Sequence, residues 1–298
     1  MKNILIIGCG LLGSSLLRRI SKKKIAKKIF VYEKSKSNIT KIKKLKLPGI
    51  IIKSLKDGVI NSDLIIFCTP MSEYKKLILK INKFITSKTL ITDIGSSKIE
   101  STKTIKKFLK KDIHWIQSHP ITGSEMSGPE HGKDNIFEYK WCIIIKEKNT
   151  LKNNLNTLTK FWKKIGSRVV VMTPEKHDKI FSMTSHLPHL IAYNLVKSAQ
   201  DFEKKQSYEL MKYSAGGLRD FSRIAASNEI MWRDVFFSNK TNISKAIDLF
   251  IKNLIKFKKD INSKNNKSII KKLIQTKKVR SKIIKLKHDI DKPDFGRN

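Results

Sequence analysis

The sequence predicts an α/β protein in which a doubly wound parallel sheet is followed by an all-helical C-terminal domain. Short apolar runs alternate with lysine-rich helical patterns as far as residue 172, and this alternation is typical of a parallel sheet flanked by helices. The pattern changes at Thr173 and Pro174, because a capping threonine and a proline in the first helical position mark a helix start. No strand pattern follows. We therefore predict two domains, residues 1–172 and 173–298.

The first apolar run leads directly into a glycine-rich turn. Residues Ile4–Ile7 are followed by the sequence GCGLLG and then by an apolar helical pattern. In such a turn the first glycine permits a tight bend, the second lets a pyrophosphate approach the backbone, and the third lets the helix pack closely on the strand. The N–H groups at the helix start favour the anion. This arrangement predicts a Rossmann-type domain whose cofactor contacts include Gly8, Gly10, Leu11, Leu12 and Gly13.

The second strand pattern predicts which dinucleotide binds. The run Ile29–Tyr32 ends at Glu33, where a carboxylate accepts hydrogen bonds from the adenosine ribose hydroxyls and repels a 2′-phosphate. NAD is therefore predicted over NADP. The positive charges of Lys34 and Lys36 favour a phosphate and so reduce the expected discrimination.

Further apolar runs complete the predicted sheet. They are Gly49–Ile52, Leu64–Cys68, Thr89–Thr92, His114–Ser118, Trp141–Lys146 and Arg168–Met172. Ligands of open parallel sheets bind beyond the carboxyl ends of the strands. Thr69 and Pro70, which directly follow one of these runs, are therefore predicted to contact the cofactor.

The C-terminal domain is predicted to be built from amphipathic helices. They cover residues 174–200, 203–216, 218–238 and 243–261, with another amphipathic stretch at 267–288. In the helix over 243–261, apolar residues recur with 4-3-4-3-4 spacing and form a single stripe: Ile243, Ile247, Phe250, Leu254, Phe257 and Ile261. An apolar stripe needs a covering surface, so we predict a homodimer formed through this domain.

Composition narrows the class of protein. No apolar run approaches the roughly 18 residues that a membrane-spanning helix needs. The three cysteines, Cys9, Cys68 and Cys142, have neither disulfide-framework nor metal-binding spacing. Reduced thiols of this kind indicate a cytoplasmic enzyme, with no metal site and no membrane partner.

The formal net charge of +38 requires separate interpretation. It arises from 63 Lys and Arg against 25 Asp and Glu, and only eight of the basic residues are Arg. Proteins that read nucleic acids concentrate basic residues on one face and often use Arg for base contacts, whereas lysine here is spread over almost every predicted surface helix. The distribution favours a solvated, lysine-rich surface over specific nucleic-acid binding. Non-specific association with polyanions at low salt is still expected.

Two segments at predicted strand ends offer catalytic chemistry. His119 ends a strand at the ligand edge, where a neutral imidazole accepts a proton near pH 7, and Glu125 lies in the polar loop that follows. Ser96 lies in the segment DIGSSK, residues 93–98, which ends another strand and begins a helix. Taken alone, each segment also fits a structural strand end or an ordinary helix cap.

The helical domain supplies a histidine pair. Ser185, His186 and His189 lie in a helical pattern that Pro188 is expected to kink. Two histidines three residues apart share a helix face and suit a metal, but no acidic third ligand is evident. We therefore predict no metal here.

An arginine pair follows further along the chain. Arg219 and Arg223 are four residues apart and project from one face of a helix that begins after two glycines. Such a pair binds a substrate carboxylate bidentately or forms structural ion pairs with Asp220 or Glu229. Trp232 lies beyond it and is placed to form a pocket wall.

In this order, over about residues 1–260, the motifs resemble the prephenate/arogenate dehydrogenases of tyrosine biosynthesis. The blocks that carry the resemblance are GCGLLGS at 8–14, DIGSSK at 93–98, HPITGSE at 119–125, HD at 177–178, SHLPH at 185–189, GGLRDFSR at 216–223 and MW at 231–232. The resemblance implies that His119 accepts the proton of the substrate's C4 hydroxyl, that Ser96 hydrogen-bonds this histidine and hydroxyl, and that Arg223 binds substrate. It places Ser185, His186, His189, Glu125, Arg219 and Trp232 in the pocket.

The implied activity is oxidative decarboxylation of prephenate to 4-hydroxyphenylpyruvate, with hydride transfer to NAD, by a homodimer. One alternative is arogenate as substrate, with tyrosine as product. Another is a hydroxy-acid dehydrogenase of similar two-domain build, but such enzymes typically carry a catalytic lysine in the helical domain, where this chain offers an arginine pair. A basic nucleic-acid-binding protein with a vestigial nucleotide site is the alternative from a different class.

Overall fold

A computed structural model describes residues 2–206 and 209–286, and its N-terminal part is a six-stranded parallel sheet. The strand order is β3-β2-β1-β4-β5-β6. The strands are β1 (Asn3–Ile7), β2 (Lys28–Tyr32), β3 (Ile50–Ile51), β4 (Leu64–Phe67), β5 (Leu90–Asp93) and β6 (His114–Trp115). The connecting helices are α1 (Leu11–Lys22), α2 (Lys36–Lys44), α3 (Leu55–Ile60), α4 (Tyr74–Ile81) and α5 (Ile99–Phe108). The predicted fold class is thereby confirmed.

Two hydrophobic cores cover the two faces of this sheet. In β1, Ile4 and Ile6 enter one core while Leu5 and Ile7 enter the other, because successive side chains of a strand alternate between faces. A strand buried on both sides requires an uninterrupted apolar run, which is what the sequence has here. The carboxyl ends of β1, β4 and β5 consequently lie side by side, since these strands are parallel neighbours.

A second sheet follows, which the strand patterns alone did not separate from the first. Its strands are β7 (Ser118–Pro120), β8 (Trp141–Ile145) and β9 (Arg168–Met172), and α6 (Lys152–Ile165) connects the last two. β7 is antiparallel to β8, and β8 is parallel to β9. The predicted strand over 114–118 breaks near Gln117, whose buried amide bonds Ser101 and Thr102 of α5. His119 therefore belongs to the second sheet.

The described residues beyond β9 form helices and contain no strand. The helices are α7 (Pro174–Phe181), α8 (Leu187–Gln206), α9 (Gly216–Ala225), α10 (Glu229–Ser238), α11 (Lys240–Asn262) and α12 (Asn266–Lys285). A π-helical turn over Ser182–His186 joins α7 to α8. It precedes Pro188, which has no N–H to donate, so the predicted distortion of the first helix is present as a π turn.

Two predicted helices of this domain are wrong in extent. The predicted helix over 203–216 does not form. Instead α8 ends at Gln206, and a 3-10 turn occupies Leu210–Tyr213, while residues 207 and 208 lie outside the described part. The predicted helix over 218–238 is two helices, because Asn228 caps α10 by accepting a hydrogen bond from the Met231 N–H. The last two residues of the predicted 267–288 helix also lie outside the described residues.

The last two helices carry apolar side chains that no described residue covers. In α11, Leu254 is 56% exposed and Ile261 is 64% exposed, and only Ile243 and Ala246 of that helix are buried. Residues Ile270, Leu273, Ile274 and Val279 of α12 are exposed as well. Across the described residues, no helix is long and apolar enough to cross a membrane.

Candidate active site

The glycine turn between β1 and α1 forms an open cradle. Gly8 has a φ of +90°, and a Cβ there would lie 2.8 Å from the carbonyl oxygen of Cys68. A Cβ on Gly13 would lie only 2.1 Å from the carbonyl oxygen of Gly8, so the close helix packing requires glycine. At Gly10 a Cβ would meet no atom within 4 Å. The turn thus has no room for a side chain at Gly8 and Gly13 but is open at Gly10, as binding of a dinucleotide pyrophosphate requires.

Two polar groups border this cradle. At the end of β2, Glu33 accepts hydrogen bonds from the Cys9 N–H (2.7 Å) and the Ser35 N–H (2.8 Å), which fixes its carboxylate beside the glycine turn. At the end of β4, the Thr69 hydroxyl is buried and has no hydrogen-bond partner among the described residues. Pro70 follows and precedes a 3-10 turn over Met71–Glu73. An open turn flanked by a carboxylate and an orphaned hydroxyl fits a dinucleotide.

A chain of buried hydrogen bonds ends at His119. Asp178 of α7 accepts three N–H groups at 2.8 Å each: the backbone N–H groups of Lys98 and Ile99, and Nδ1 of His177. A carboxylate only accepts, so His177 donates through Nδ1 and has a lone pair on Nε2. Nδ1 of His119, 2.8 Å away, therefore donates to His177. The Nε2 lone pair of His119 stays available, and no described residue hydrogen-bonds it.

Burial keeps these histidines neutral. It lowers the pKa of His119 well below its usual range, and the neighbouring His177, Lys98 and His186 lower that pKa further. The pKa of His177 is likewise lowered by burial, and that of His186 is lowered to about 4. Burial raises the pKa of Asp178, but its N–H donors and the charge of Lys98 oppose this effect. At neutral pH this chain of hydrogen bonds therefore ends in an unprotonated base, Nε2 of His119.

His186 and Ser96 adjoin this chain. The Asn239 amide donates to Nδ1 of His186 (3.0 Å) and to the carbonyl oxygen of Asp178 (2.8 Å), so His186 carries its proton on Nε2. That Nε2 atom is buried and lacks a partner within the described chain. Burial lowers the pKa of His186, and hydrogen bonding to the Ser96 backbone partly opposes this shift. No hydrogen bond joins the Ser96 hydroxyl to His119 in the described residues, so its role toward a bound hydroxyl stays a prediction.

Aromatic stacking connects the second histidine to α10. The His189 ring stacks on Trp232 with centroids 3.8 Å apart and an interplanar angle of 23°. Nδ1 of His189 bonds the backbone carbonyl of Ser185 at 2.9 Å, and the Ser185 side chain makes no described contact with this cluster. The Trp232 indole N–H is buried and, among the described residues, unpartnered. The Trp232 N–H thus remains free for a ligand, and the His186 N–H faces the Ser96 backbone without a well-formed hydrogen bond.

The arginine pair differs from its prediction. Arg223 lies in the last turn of α9 and not at a helix start, and its side chain is 42% exposed. Its guanidinium lies 3.4 Å from the Glu125 carboxylate, so the expected structural partners Asp220 and Glu229 are not the ones it bonds. Burial lowers the pKa of His189, and the charge of Arg223 lowers it further. Arg219 is exposed and makes no described contact with these residues.

The structure therefore unites most of the predicted set and adds residues that the sequence did not single out. His119, Ser96, His186, His189 and Trp232 converge between the two domains, with Arg223 and Glu125 beside them. The additional members are His177, Asp178, Lys98 and Asn239. Lys98, His177 and Asp178 lie in the blocks DIGSSK and HD that carry the family resemblance, but the sequence assigned them no role, and Asn239 had no local signal. No cluster of three or more His, Cys, Asp or Glu side chains in the described part is placed to hold a metal.

Comparison with known proteins identifies the family. The nucleotide-binding domain of prephenate dehydrogenase matches residues 16–171, and the prephenate dehydrogenase dimerization domain matches residues 173–275. The chain is 31% identical to the cyclohexadienyl dehydrogenase of Zymomonas mobilis, over 97% of this chain and 98% of that protein. It is 31% identical to the prephenate dehydrogenase of Bacillus subtilis, over 86% and 69% of the two chains.

A solved structure agrees. The prephenate dehydrogenase of Aquifex aeolicus, in complex with hydroxyphenyl propionate and NAD+, superposes with a TM-score of 0.88 at 32% identity, over 95% of this chain and 98% of that one. Both family domains occur here in the expected order, and the similarity extends through nearly the whole chain. The chain therefore belongs to the prephenate dehydrogenase family.

Proposed function

We propose that this protein catalyses the NAD-dependent oxidative decarboxylation of prephenate to 4-hydroxyphenylpyruvate, a step of tyrosine biosynthesis. The observation that carries the proposal is the buried hydrogen-bond chain that leaves His119 neutral with a free Nε2. A base in that state suits removal of a proton from an alcohol. Family membership supplies the substrate class, and the glycine turn with Glu33 fits NAD.

The cofactor and the protein's own residues supply different parts of the chemistry. Bound NAD supplies the hydride acceptor. Nε2 of His119 takes the C4 hydroxyl proton while the C4 hydrogen leaves with its electron pair and the ring carboxylate departs as carbon dioxide. Aromatisation of the ring drives the reaction. As the proton arrives, the resulting imidazolium is stabilised through His177 by the Asp178 carboxylate.

Other residues bind and orient. The unpartnered N–H groups of His186 and Trp232 are donors that a bound ligand can satisfy, since buried polar atoms otherwise cost free energy. We assign Arg223 to a substrate carboxylate, which would displace Glu125 from its long 3.4 Å pair. The hydroxyl of Ser96 is assigned to the substrate hydroxyl. Arg219 and Ser185 are assigned to the pocket on resemblance alone, and His189, which stacks on Trp232, is assigned there with them.

Prephenate and arogenate differ only in a keto or amino group on the side chain, and both carry the ring carboxylate. The test is therefore a paired measurement of NADH formation at 340 nm, with each substrate and with NAD or NADP. We expect kcat/KM to be highest for prephenate with NAD. A higher value for arogenate would change the substrate assignment, and no turnover of either would refute the function.

We also propose that the protein is a homodimer formed through α11 and α12. The exposed apolar side chains of these helices are the support, and the dimerization-domain match includes α11 and the first half of α12. The divisions at residues 1–172 and 173–298 then separate cofactor binding from dimerisation. We propose a cytoplasmic location on the basis of the three cysteines, which are all free thiols.

A further inference from the structure

Lys98 is an exception among the lysines of this chain. Its side chain is 0% exposed, although lysine is almost never fully buried unless it is paired. The ammonium group donates to the Asp93 carboxylate at 2.8 Å and to the backbone carbonyl of Ser118 at 2.7 Å. Burying an ion pair costs desolvation energy and is weak evidence for a stabilising role. A fully enclosed lysine in this location therefore requires another explanation.

The counter-ion of Lys98 is itself held rigidly. Asp93 ends β5, and one of its oxygens accepts hydrogen bonds from the Tyr74 hydroxyl and the Gly95 N–H, both at 3.0 Å. The other oxygen accepts from the Trp115 indole N–H at 3.2 Å. Because the carboxylate is fixed from three directions, the ammonium that it pairs with has a defined position.

Lys98 also belongs to a closed ring of hydrogen bonds around the base. Its ammonium binds the carbonyl of Ser118, the residue next to His119. Its backbone N–H binds Asp178, which leads through His177 to Nδ1 of His119. Two paths of hydrogen bonds therefore connect His119 to Lys98. One runs from the His119 imidazole to the Lys98 backbone N–H, and the other runs from the main chain beside His119 to the Lys98 ammonium.

We propose that Lys98 is the positioning residue that holds His119 in register for proton transfer, an inference that rests on the function proposed above. The ammonium fixes the strand that carries His119, and the backbone N–H fixes the far end of the imidazole chain. A shift of about 1 Å at a reacting group costs on the order of 10²-fold in rate, so an enclosed ion pair at this point has a catalytic justification.

The positive charge has a second effect, because it lowers the pKa of both His119 and His177. Other titratable groups face the same space from the elements packed around it: Asp93 of β5, His177 and Asp178 of α7, His186 of the π turn and Cys142 of β8. Lys98 differs from these groups because its positive charge is held in place by Asp93 and lies against the backbone carbonyl of Ser118, next to His119. Removing the charge should therefore raise the pKa of His119.

Two substitutions separate position from charge. Lys98→Gln removes the charge but keeps an N–H donor for Ser118, whereas Lys98→Arg keeps the charge in a bulkier group. Lys103→Gln is the matched control, because Lys103 lies in α5, the helix that Lys98 directly precedes, and it is exposed, with Glu100 as its ion-pair partner among the described residues. For each variant we would measure the circular dichroism spectrum, the NAD dissociation constant, and kcat and kcat/KM for prephenate from pH 5 to 9.

We expect Lys98→Gln to lower kcat by about 10- to 100-fold and to move the acid limb of kcat/KM up by about one pH unit. Lys98→Arg should lower kcat as much but leave the limb in place, and NAD binding should stay within about threefold in both. A folded Gln variant with wild-type kcat and an unmoved limb overturns the proposal. If only the Arg variant folds, a wild-type kcat in it does the same.

Failure of this inference and failure of the proposed function have different signatures. If the wild-type enzyme turns over neither prephenate nor arogenate, the function is wrong whatever the variants do. If the wild type is active and Lys98→Gln behaves like Lys103→Gln, only the role of Lys98 is wrong.

Discussion

Asp178→Asn tests the hydrogen-bond chain that defines the base. Both carboxylate oxygens of Asp178 face N–H donors, one facing Lys98 and His177 and the other facing Ile99. An amide must therefore point its NH2 at a donor in either orientation. If it faces His177, that histidine must accept at Nδ1 and donate from Nε2, which inverts the tautomer of His119 and protonates the catalytic Nε2. If it faces Ile99, the tautomer survives but the negative charge is lost.

The magnitude follows from these two outcomes. Inverting the tautomer, or removing the charge that stabilises the imidazolium, should lower kcat by about 10²- to 10⁴-fold. The variant loses one buried hydrogen bond and gains one repulsive contact between N–H groups. Together these should lower the free energy of unfolding by about 2 kcal/mol. For a chain of 298 residues that lowers Tm by about 3 °C.

The assay is NADH formation at 340 nm with saturating prephenate, together with a thermal melt and the NAD dissociation constant. Asp201→Asn is the matched control, since Asp201 is exposed and its ion-pair partner among the described residues is Lys197 of the same helix. We expect the control to behave as wild type. A kcat for Asp178→Asn within threefold of wild type, at an unchanged KM, would refute the claim that the hydrogen bonds from Asp178 through His177 activate His119.

Four further predictions follow from the site and the surface. Glu33→Ser should narrow the ratio of kcat/KM for NAD over NADP, and a native preference for NADP would show that the ribose assignment is wrong. Arg223→Ala should raise the prephenate KM by about 10- to 100-fold with little change in Tm, because the side chain is half exposed and its only described partner is Glu125; Arg223→Lys should recover part of this, and an unchanged KM would argue against substrate binding. Stability should fall as the pH drops below about 6.5, since burial depresses the pKa of three histidines, His186 among them to about 4, and the unfolded chain then binds more protons than the folded one; a Tm that does not change between pH 7 and pH 5 would contradict this. Leu254→Arg should convert a dimer into monomers in light scattering at micromolar concentration, and a wild-type protein that is already monomeric would count against the dimer.

The sequence predicted those parts of the fold that rest on local patterns. The strand, glycine turn and helix at the N-terminus follow from sterics within about ten residues, so Gly8 and Gly13 could be assigned without knowledge of the rest. The helix start at Thr173 is equally local, and the threonine side chain does accept the Lys176 N–H. The change of sheet after β6 was missed, because Gln117 breaks the strand through partners in α5 that no periodicity reveals.

The sequence predicted which residues form the candidate site better than it predicted the hydrogen bonds between them. His119 was identified by its position, yet its bond to His177 joins residues 58 apart and depends on how α7 packs against β7. Lys98 ends the DIGSSK block, yet its burial was not predicted, since a lysine in a chain this rich in lysine is ordinarily exposed. The 203–216 helix was wrong because its polar, amphipathic sequence contains no breaker before Gly216, while the structure ends α8 ten residues earlier.

The most direct test of the account is the turnover of His119→Asn with NAD and prephenate. Asparagine is close in size to imidazole and can still hydrogen-bond His177, but it is not a base at any pH in the assay. We expect a folded protein that binds NAD as the wild type does and has a kcat lower by about 10²- to 10⁴-fold across the whole pH range. A kcat close to that of the wild type would contradict the claim that His119 takes the proton.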